Sequence, residues 1–331
     1  MGLKNTEDFK KVVEVFKTRD NFVLASHVNP EGDSIGSQLA VYQILRALGK
    51  KAVIVNQMCV PDNLKFLPDA GCVTPDLPKD FSPETVIILD CPVLDRVGNI
   101  KRLIEERHFV VNVDHHISNE FFGEVNWVEK EASSVGEMIF YLIKEVGLKI
   151  DLDMAKVIYA AIVTDTGRFN YDNTRPATHR VVSELIEAGV RPKIMYSEIF
   201  EKKSAVEIRL LGKTLSTLKL DANGQIAYMS LTRSMYEEEG VDFVSTDEFI
   251  NFPRSIKGVE VSIFFKENSE IEQKINVSFR SRGRVDVNVV ASFFGGGGHA
   301  QVSGCVLDSP LEDAQKKVIK KVKEILTHLN R

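Results

Sequence analysis

"NFVLASHVNPEGDSIGSQLAVYQILRALG" (residues 21–49) decides the fold. It opens on the apolar run Phe22–Ala25, which reads as a buried strand over residues 21–26. It closes on a helical pattern from Ile35 to Leu48, stopped by Gly49. Between strand and helix stand His27, Glu31 and Asp33. Hydrophobic burial does not explain them. Acidic groups beside a histidine are costly in a core unless something cationic compensates them.

The same alternation continues outward. "KAVIVN" (51–56), "ETVIILD" (84–90) and "HFVVNVD" (108–114) read as further strands. Helical patterns follow at residues 134–146, 153–164 and 177–188, the last closed by Gly189. Continuous apolar strands separated by helices predict an α/β domain with a doubly wound, mainly parallel sheet covered on both faces. The stretch 191–212 is charged and helical and reads as a linker. Beyond it, "QIAYMSL" (225–231), "VEVSIFF" (259–265) and "KINVSFR" (274–280) alternate as partly exposed strands do. Residues 285–294 read as a helix before the glycine run Gly295–Gly298, and residues 311–326 as an amphipathic helix. The expected organisation is therefore a first domain over 1–190, a helical linker over 191–212 and a smaller α/β domain with a mixed sheet over 213–331. The active site is expected in the cleft between the domains.

Composition narrows the function. The chain has 331 residues, 44% hydrophobic and 27% charged, with net charge −5. That balance argues against long duplex nucleic acid, which needs basic surface, but not against a small anion held by a few local cations. No apolar run approaches the roughly 18 residues of a membrane span. The opening "MGLKNTEDFKKVVEVFK" has no secretory core. Cys59, Cys72, Cys91 and Cys305 form no CxxC pair, so neither a zinc site nor a disulfide framework is indicated. A reduced, cytoplasmic setting is expected.

Three polar clusters fall at strand ends: His27, Glu31 and Asp33; Asp90; and Asp114, His115 and His116. Open α/β sheets bind ligands outside the carboxyl ends of their strands. Asp165, at the end of the apolar helix "AKVIYAAIVTD", can reach the same crevice. A lone Asp after a strand is usually a turn residue or helix cap. Three acidic or histidine clusters at successive strand ends repel one another without a cation. Carboxylate with imidazole suits Mn²⁺, or Mg²⁺ with fewer histidine contacts.

"HVNPEGDSIGS", "ILDCP", "VDHH" and "AAIVTDTGRF" resemble the four motifs of the DHH phosphoesterase superfamily. "FRSRGRVDVNVVASFFGGGGHAQVSG" resembles the DHH-associated substrate-binding domain. The motifs occur in order over nearly the whole chain, and they are most similar to the two-domain nanoRNase/pAp phosphatases. Family II pyrophosphatases and RecJ exonucleases are more distant. The resemblance implies two Mn²⁺, with Mg²⁺ or Co²⁺ as substitutes. His27, Glu31 and Asp90 would hold one ion, and Asp33, Asp90, His115 and Asp165 the other. His116 would meet the substrate phosphate and Asp114 would orient the histidines, so His116, Asp114 and Asp90 carry catalysis. Glu31 departs from the family pattern, which has Asp there.

The implied reaction is hydrolysis of short RNA (nanoRNA) to 5′-mononucleotides, and of the 3′-phosphate of pAp, by a two-metal-activated hydroxide. Cyclic dinucleotides or linear pApA and pGpG are the alternative substrates. A nucleotide-binding protein with catalysis impaired at Glu31 is the alternative of another class. Arg280, Ser281, Arg282, Gly296, Gly297, Gly298, His299 and Arg168 are the expected substrate contacts. Arg280, Arg282 and Arg284 share a face if their strand continues, and the glycines let backbone N–H groups approach a phosphate. A mobile loop beside solvated charge is the bland reading of that region. Related proteins are often dimers, and a homodimer is expected only by that analogy.

Overall fold

The computed structural model describes residues 6–329 apart from 106–107, 242–243, 245, 247, 269–270 and 272. Residues 1–5 of the opening stretch and 330–331 of the second domain's expected span therefore lie outside the described ones. The chain divides into two compact units between Lys202 and Lys203.

In the first unit the strands are β1 (Phe22–Ala25), β2 (Ala52–Val55), β3 (Val73–Thr74), β4 (Thr85–Leu89), β5 (Phe109–Asp114) and β6 (Val125–Val128). Among the described residues they form one sheet, ordered β3-β2-β1-β4-β5-β6, with every pairing parallel. The helices are α1 (Glu7–Thr18), α2 (Gly32–Ala47), α3 (Lys101–Glu105), α4 (Val135–Glu145), α5 (Leu152–Asp165), α6 (Pro176–Glu187) and α7 (Pro192–Phe200). One face of the sheet buries Leu24, Ile87 and Val111 against α2, α4 and α5, and the other buries Val23, Val86, Ile88 and Val110. Burial on both faces explains why these strands read as unbroken apolar runs. The chain leaves β1 for one edge of the sheet and returns as β4 on β1's other side. This reversal opens a crevice at the carboxyl ends of β1 and β4.

Small residues let α2 and α5 approach closely. A Cβ on Gly36 would lie 2.4 Å from the Val157 carbonyl oxygen, and one on Gly32 would lie 2.3 Å from Thr164 Oγ1. The glycines of "PEGDSIGS" thus belong to helix packing, and that packing carries Asp33 towards the end of α5.

In the second unit the strands are β7 (Lys219–Asp221), β8 (Ile226–Leu231), β9 (Val261–Glu267), β10 (Lys274–Ser281), β11 (Gly297–Gly298) and β12 (Val302–Asp308). They form a mixed sheet, ordered β11-β12-β10-β9-β8-β7, in which only β8 and β9 pair in parallel among the described residues. Its helices are α8 (Ala205–Ser216), α9 (Arg233–Glu239), α10 (Asn251–Arg254), α11 (Val287–Phe293) and α12 (Leu311–Leu329). The linker stretch 191–212 is helical and shared: Met195 and Ile199 of α7 bury in the first core, and Leu210 of α8 in the second unit.

Two expectations need correction here. β8 and β9 do not alternate between core and solvent; they are buried on both faces. Ile226, Val261, Ile263 and Phe265 face one core, and Met229, Leu231 and Phe264 face another that includes Leu210 and Tyr236. Of the three strands expected to alternate, β10 alone does. Nor does β10 continue through Arg284. Ser281 Oγ accepts from the Gly283 N–H at 3.0 Å, Gly283 turns at φ 110°, and Asp286 then caps α11. Arg282 and Arg284 therefore sit in a turn rather than on Arg280's strand face. Among the described residues no helix is long and apolar enough to cross a membrane.

Candidate active site

Because β1, β4 and β5 are neighbours in a parallel sheet, their carboxyl ends lie side by side. β1 runs into His27, β4 into Asp90, and β5 ends on Asp114 before His115 and His116. α5 ends on Asp165 and α2 carries Asp33 in its first turn. Two groups of donor atoms converge there: Asp90, His115 and His116, and Asp33, His115 and Asp165, each with its atoms within 4.8 Å of one another. His115 belongs to both. His27 adjoins the first, its Nε2 3.6 Å from Asp90 Oδ2. Glu31 is brought into neither group. It is exposed at the start of α2, where its backbone N–H donates to Ser34 Oγ at 2.7 Å.

The backbone fixes each carboxylate. Asp33 Oδ2 accepts from the Val135 N–H at 2.7 Å, and its Oδ1 accepts from the Gly136 N–H at 2.9 Å and Ser37 Oγ at 3.0 Å. The first two donors belong to the amino end of α4, whose positive end suits a carboxylate. Asp90 sits in the left-handed region at φ 56°, a conformation Asp tolerates better than most residues. Asp165 is followed by three residues of positive φ: Gly167 at 54°, Arg168 at 64° and Phe169 at 66°. Asn173 Nδ2 closes this turn, donating to the Asp165 and Ser133 carbonyls at 3.1 and 2.9 Å.

The imidazoles are oriented alike. His27 Nδ1 lies 2.7 Å from the Val28 carbonyl, His115 Nδ1 3.3 Å from the Ala132 carbonyl, and His116 Nδ1 2.7 Å from Asp114 Oδ1. These partners only accept, so each Nδ1 carries the proton and each Nε2 is left for another partner. His115 Nε2 points at three carboxylates, 3.8 Å from Asp33, 3.7 Å from Asp90 and 3.5 Å from Asp165. Those separations are too long for hydrogen bonds. They suit neighbouring donors on one cation, each about 2.0–2.2 Å from it.

Electrostatics agree. Burial, with Asp33 beside it, raises Asp90 well above the carboxylate range. Burial likewise raises Asp33 and pushes Asp165 up to about 7. Burial lowers His27, whereas His115 is raised because Asp165, Asp33 and Asp90 outweigh its own burial. His116 is also opposed by burial, yet its hydrogen bond to Asp114 brings it to about 9. Asp114 is held low despite burial by that same partner. The cluster thus takes up protons where no other positive charge serves it. Buried carboxylates with outward-facing imidazole lone pairs are the donor set of a hard or borderline divalent cation.

The expected substrate contacts lie apart from this cluster in sequence. Arg168 is the exception, its guanidinium 4.9 Å above the Phe200 ring. Phe169 packs on the first core. In the second unit Ser281 is buried, and Arg282 donates to the Arg254 carbonyl at 3.0 Å. The glycine run is no free loop: Gly297 and Gly298 pair with Gly304 and Ser303 of β12. A Cβ on Gly296 would lie 2.2 Å from the Gly304 carbonyl oxygen. His299 is exposed in the turn joining β11 to β12, its N–H donating to the Val302 carbonyl at 2.7 Å. Sequence reasoning missed Asn112, Asn119 and Asn173: Asn112 sits inside the apolar run of β5, and asparagines in the loops after β5 and α5 look like any turn residue.

Comparison with known proteins adds to this geometry. Residues 21–162 match the DHH family, N-terminal domain, and residues 222–328 match the DHHA1 domain. The bifunctional oligoribonuclease and PAP phosphatase NrnA of Thermus thermophilus is 32% identical, over 97% of this chain and 95% of its own. The Bacillus subtilis protein of the same name is 29% identical, over 90% of this chain and 93% of its own. The crystal structure of an exopolyphosphatase-related protein from Bacteroides fragilis superposes with a TM-score of 0.90 at 29% identity, covering 98% of each chain.

Proposed function

The chain belongs to the DHH family, a DHHA1 domain following its catalytic one, and on that premise we propose that it is an Mn²⁺-dependent phosphoesterase of short nucleotides. Its substrates are oligoribonucleotides of a few residues, released as 5′-mononucleotides, and pAp, from which it removes the 3′-phosphate. The observation that carries the reading is the convergence of Asp33, Asp90, His115 and Asp165 at the carboxyl ends of adjacent parallel strands. The near-complete coverage of the Thermus relative supports the choice of substrate.

Asp33, Asp90, His115 and Asp165 would hold one ion, and His27 and Asp90 a second, to which Glu31 would have to swing in from its exposed position. Bound ions of this kind polarise phosphoryl oxygens and lower the pKa of water. The chain's own residues do the rest. Asp114 fixes His116 through Nδ1–H and favours its charged form, whose Nε2–H would donate to a phosphate oxygen. The amino end of α4 holds Asp33, and the turn closed by Asn173 holds Asp165. In the second unit, Arg280, Arg282, the glycine run and His299 recognise the rest of the nucleotide.

The test is hydrolysis of pAp, of pApA and of RNA some tens of residues long by metal-stripped protein titrated with Mn²⁺. We expect turnover of the two short substrates only when Mn²⁺ is added, falling steeply with RNA length. Equal rates on long and short RNA would assign the chain to a processive nuclease instead.

A further inference from the structure

Two buried asparagines join the strand ends behind the site. Asn119 lies three residues after His116 and is 7% exposed; Asn112, within β5, is 0% exposed. Asn119 Nδ2 donates to Asp114 Oδ2 at 2.6 Å and to Asn112 Oδ1 at 2.7 Å. Its Oδ1 accepts from the Phe121 N–H at 2.7 Å, which fixes the orientation of the amide. Asn112 Nδ2 donates in turn to the Cys91 carbonyl at 3.1 Å and the Ile88 carbonyl at 3.4 Å. Those carbonyls flank Asp90, the residue held at positive φ. Every side-chain polar atom of the pair has a partner, as a buried polar network requires if it is to rigidify.

We infer that Asn119, seated on Asn112, is a positioning residue that sets the orientation of His116 through Asp114. Asp114 has two carboxylate oxygens. One receives His116 Nδ1–H, and the other is pinned by Asn119. Without the second bond the carboxylate can turn about its last torsion, carrying the imidazole with it. Asn112 anchors the same unit to the backbone on either side of Asp90. The arm that would touch phosphate and the turn that presents a candidate metal ligand are thus set by one pair of amides. The consequence for catalysis rests on the phosphoesterase reading; the orientation itself does not.

The test uses the full chain loaded with diamagnetic Mg²⁺ and labelled at histidine nitrogen, and compares wild type, Asn119→Ala, Asn119→Asp and His116→Ala. Asn119→Asp keeps the shape and removes the donor, so it serves if the alanine variant folds poorly. We expect a downfield Nδ1–H resonance in wild type, absent from His116→Ala. It should be lost or broadened in both Asn119 variants, with the other histidine signals in place. With Mn²⁺ and pAp, kcat should fall about 10–100-fold in Asn119→Ala at unchanged metal content, as expected for a group that orients a site residue. In a His116→Ala background the same change should add at most about 2-fold, because residues acting as one unit are not additive. An unaltered His116 resonance in both Asn119 variants, or no such resonance in wild type, overturns the inference. So does an equal loss of kcat in the two backgrounds. If the resonance responds as expected but wild type hydrolyses neither pAp nor pApA, the inference stands and the proposed function fails.

Discussion

At the scale of single residues, Asp90 and Glu31 mark the two extremes of the site. Asp90 is buried, its Oδ2 facing His27 and its Oδ1 facing His115 and His116. Asp90→Ala removes a donor from both candidate ion sites. We expect turnover to fall by at least about 10³-fold with Mn²⁺ content reduced, read by metal analysis and pAp hydrolysis. Glu31 is exposed and outside both donor groups, although the motif resemblance implies it as a ligand in place of Asp. Glu is one methylene longer than Asp, and ligand geometry tolerates little displacement. Glu31→Asp should tighten Mn²⁺ binding by up to about 10-fold and raise kcat; unchanged affinity would show that residue 31 contributes no ligand. Residue types after strands β1, β4 and β5, and at the end of the apolar helix α5, singled out His27, Asp33, Asp90, His115 and Asp165 in the sequence as candidates. The asparagines behind them were not, because their role depends on partners that only the folded chain brings within reach.

At the scale of elements, the site depends on how closely α2 packs against α5. Gly36→Ala would place a methyl group 2.4 Å from the Val157 carbonyl oxygen and 3.0 Å from Ala161 Cβ. Helix backbone cannot yield as a flexible side chain does, so the helices must part. We expect a loss of about 1–3 kcal/mol in urea unfolding, the cost of overpacking. Mn²⁺ affinity should weaken as well, since α2 carries Asp33. An alanine variant with wild-type stability and affinity would show that the contact does not place the site. In the sequence Gly32 read as part of a polar loop and Gly36 as an ordinary helix position, because nothing local marks a glycine chosen for a neighbour some 120 residues away. In the first sheet β1, β4 and β5 were legible since they are buried on both faces, and β2 was read with them; β3 and β6 are short and less buried, and went unread. The second sheet was less legible: β8 and β9 read as half-exposed because the core formed with α8 and α9 is not apparent from a single strand. β11 escaped because it consists of two glycines, poor strand formers held by pairing with β12.

At the scale of the whole molecule, the buried site trades stability for charge. In the metal-free protein Asp165 is raised to about 7 from an ordinary 3.8. A raised carboxyl stabilises the fold most below its ordinary value, and that contribution is lost as pH rises through about 4 to 7. His116, raised to about 9 from 6.5, contributes stability fully present below 6.5 and lost as pH rises through 9. Both act in the same direction. The melting temperature of metal-free protein should therefore fall between pH 6 and pH 9. A saturating divalent cation should recover it, by roughly 5–10 °C per site at a hundredfold excess over Kd, and by more at pH 8 than at pH 6. A metal-free melting temperature that rises over this range would contradict the assignment of charges. In the second unit, Arg282→Ala and His299→Ala should raise KM for pApA with bound metal unchanged, the signature of uniform binding lost.

The most direct measurement is the stoichiometric titration of Mn²⁺ into metal-stripped wild type and Asp90→Ala, followed by calorimetry and by pAp hydrolysis on the same samples. We predict two ions bound per wild-type chain, turnover that appears as they bind, and neither full occupancy nor turnover in the variant. Hydrolysis by the stripped wild type, or an Asp90→Ala protein that binds Mn²⁺ and turns over as wild type does, would contradict a metal site built on the ends of β1, β4 and β5.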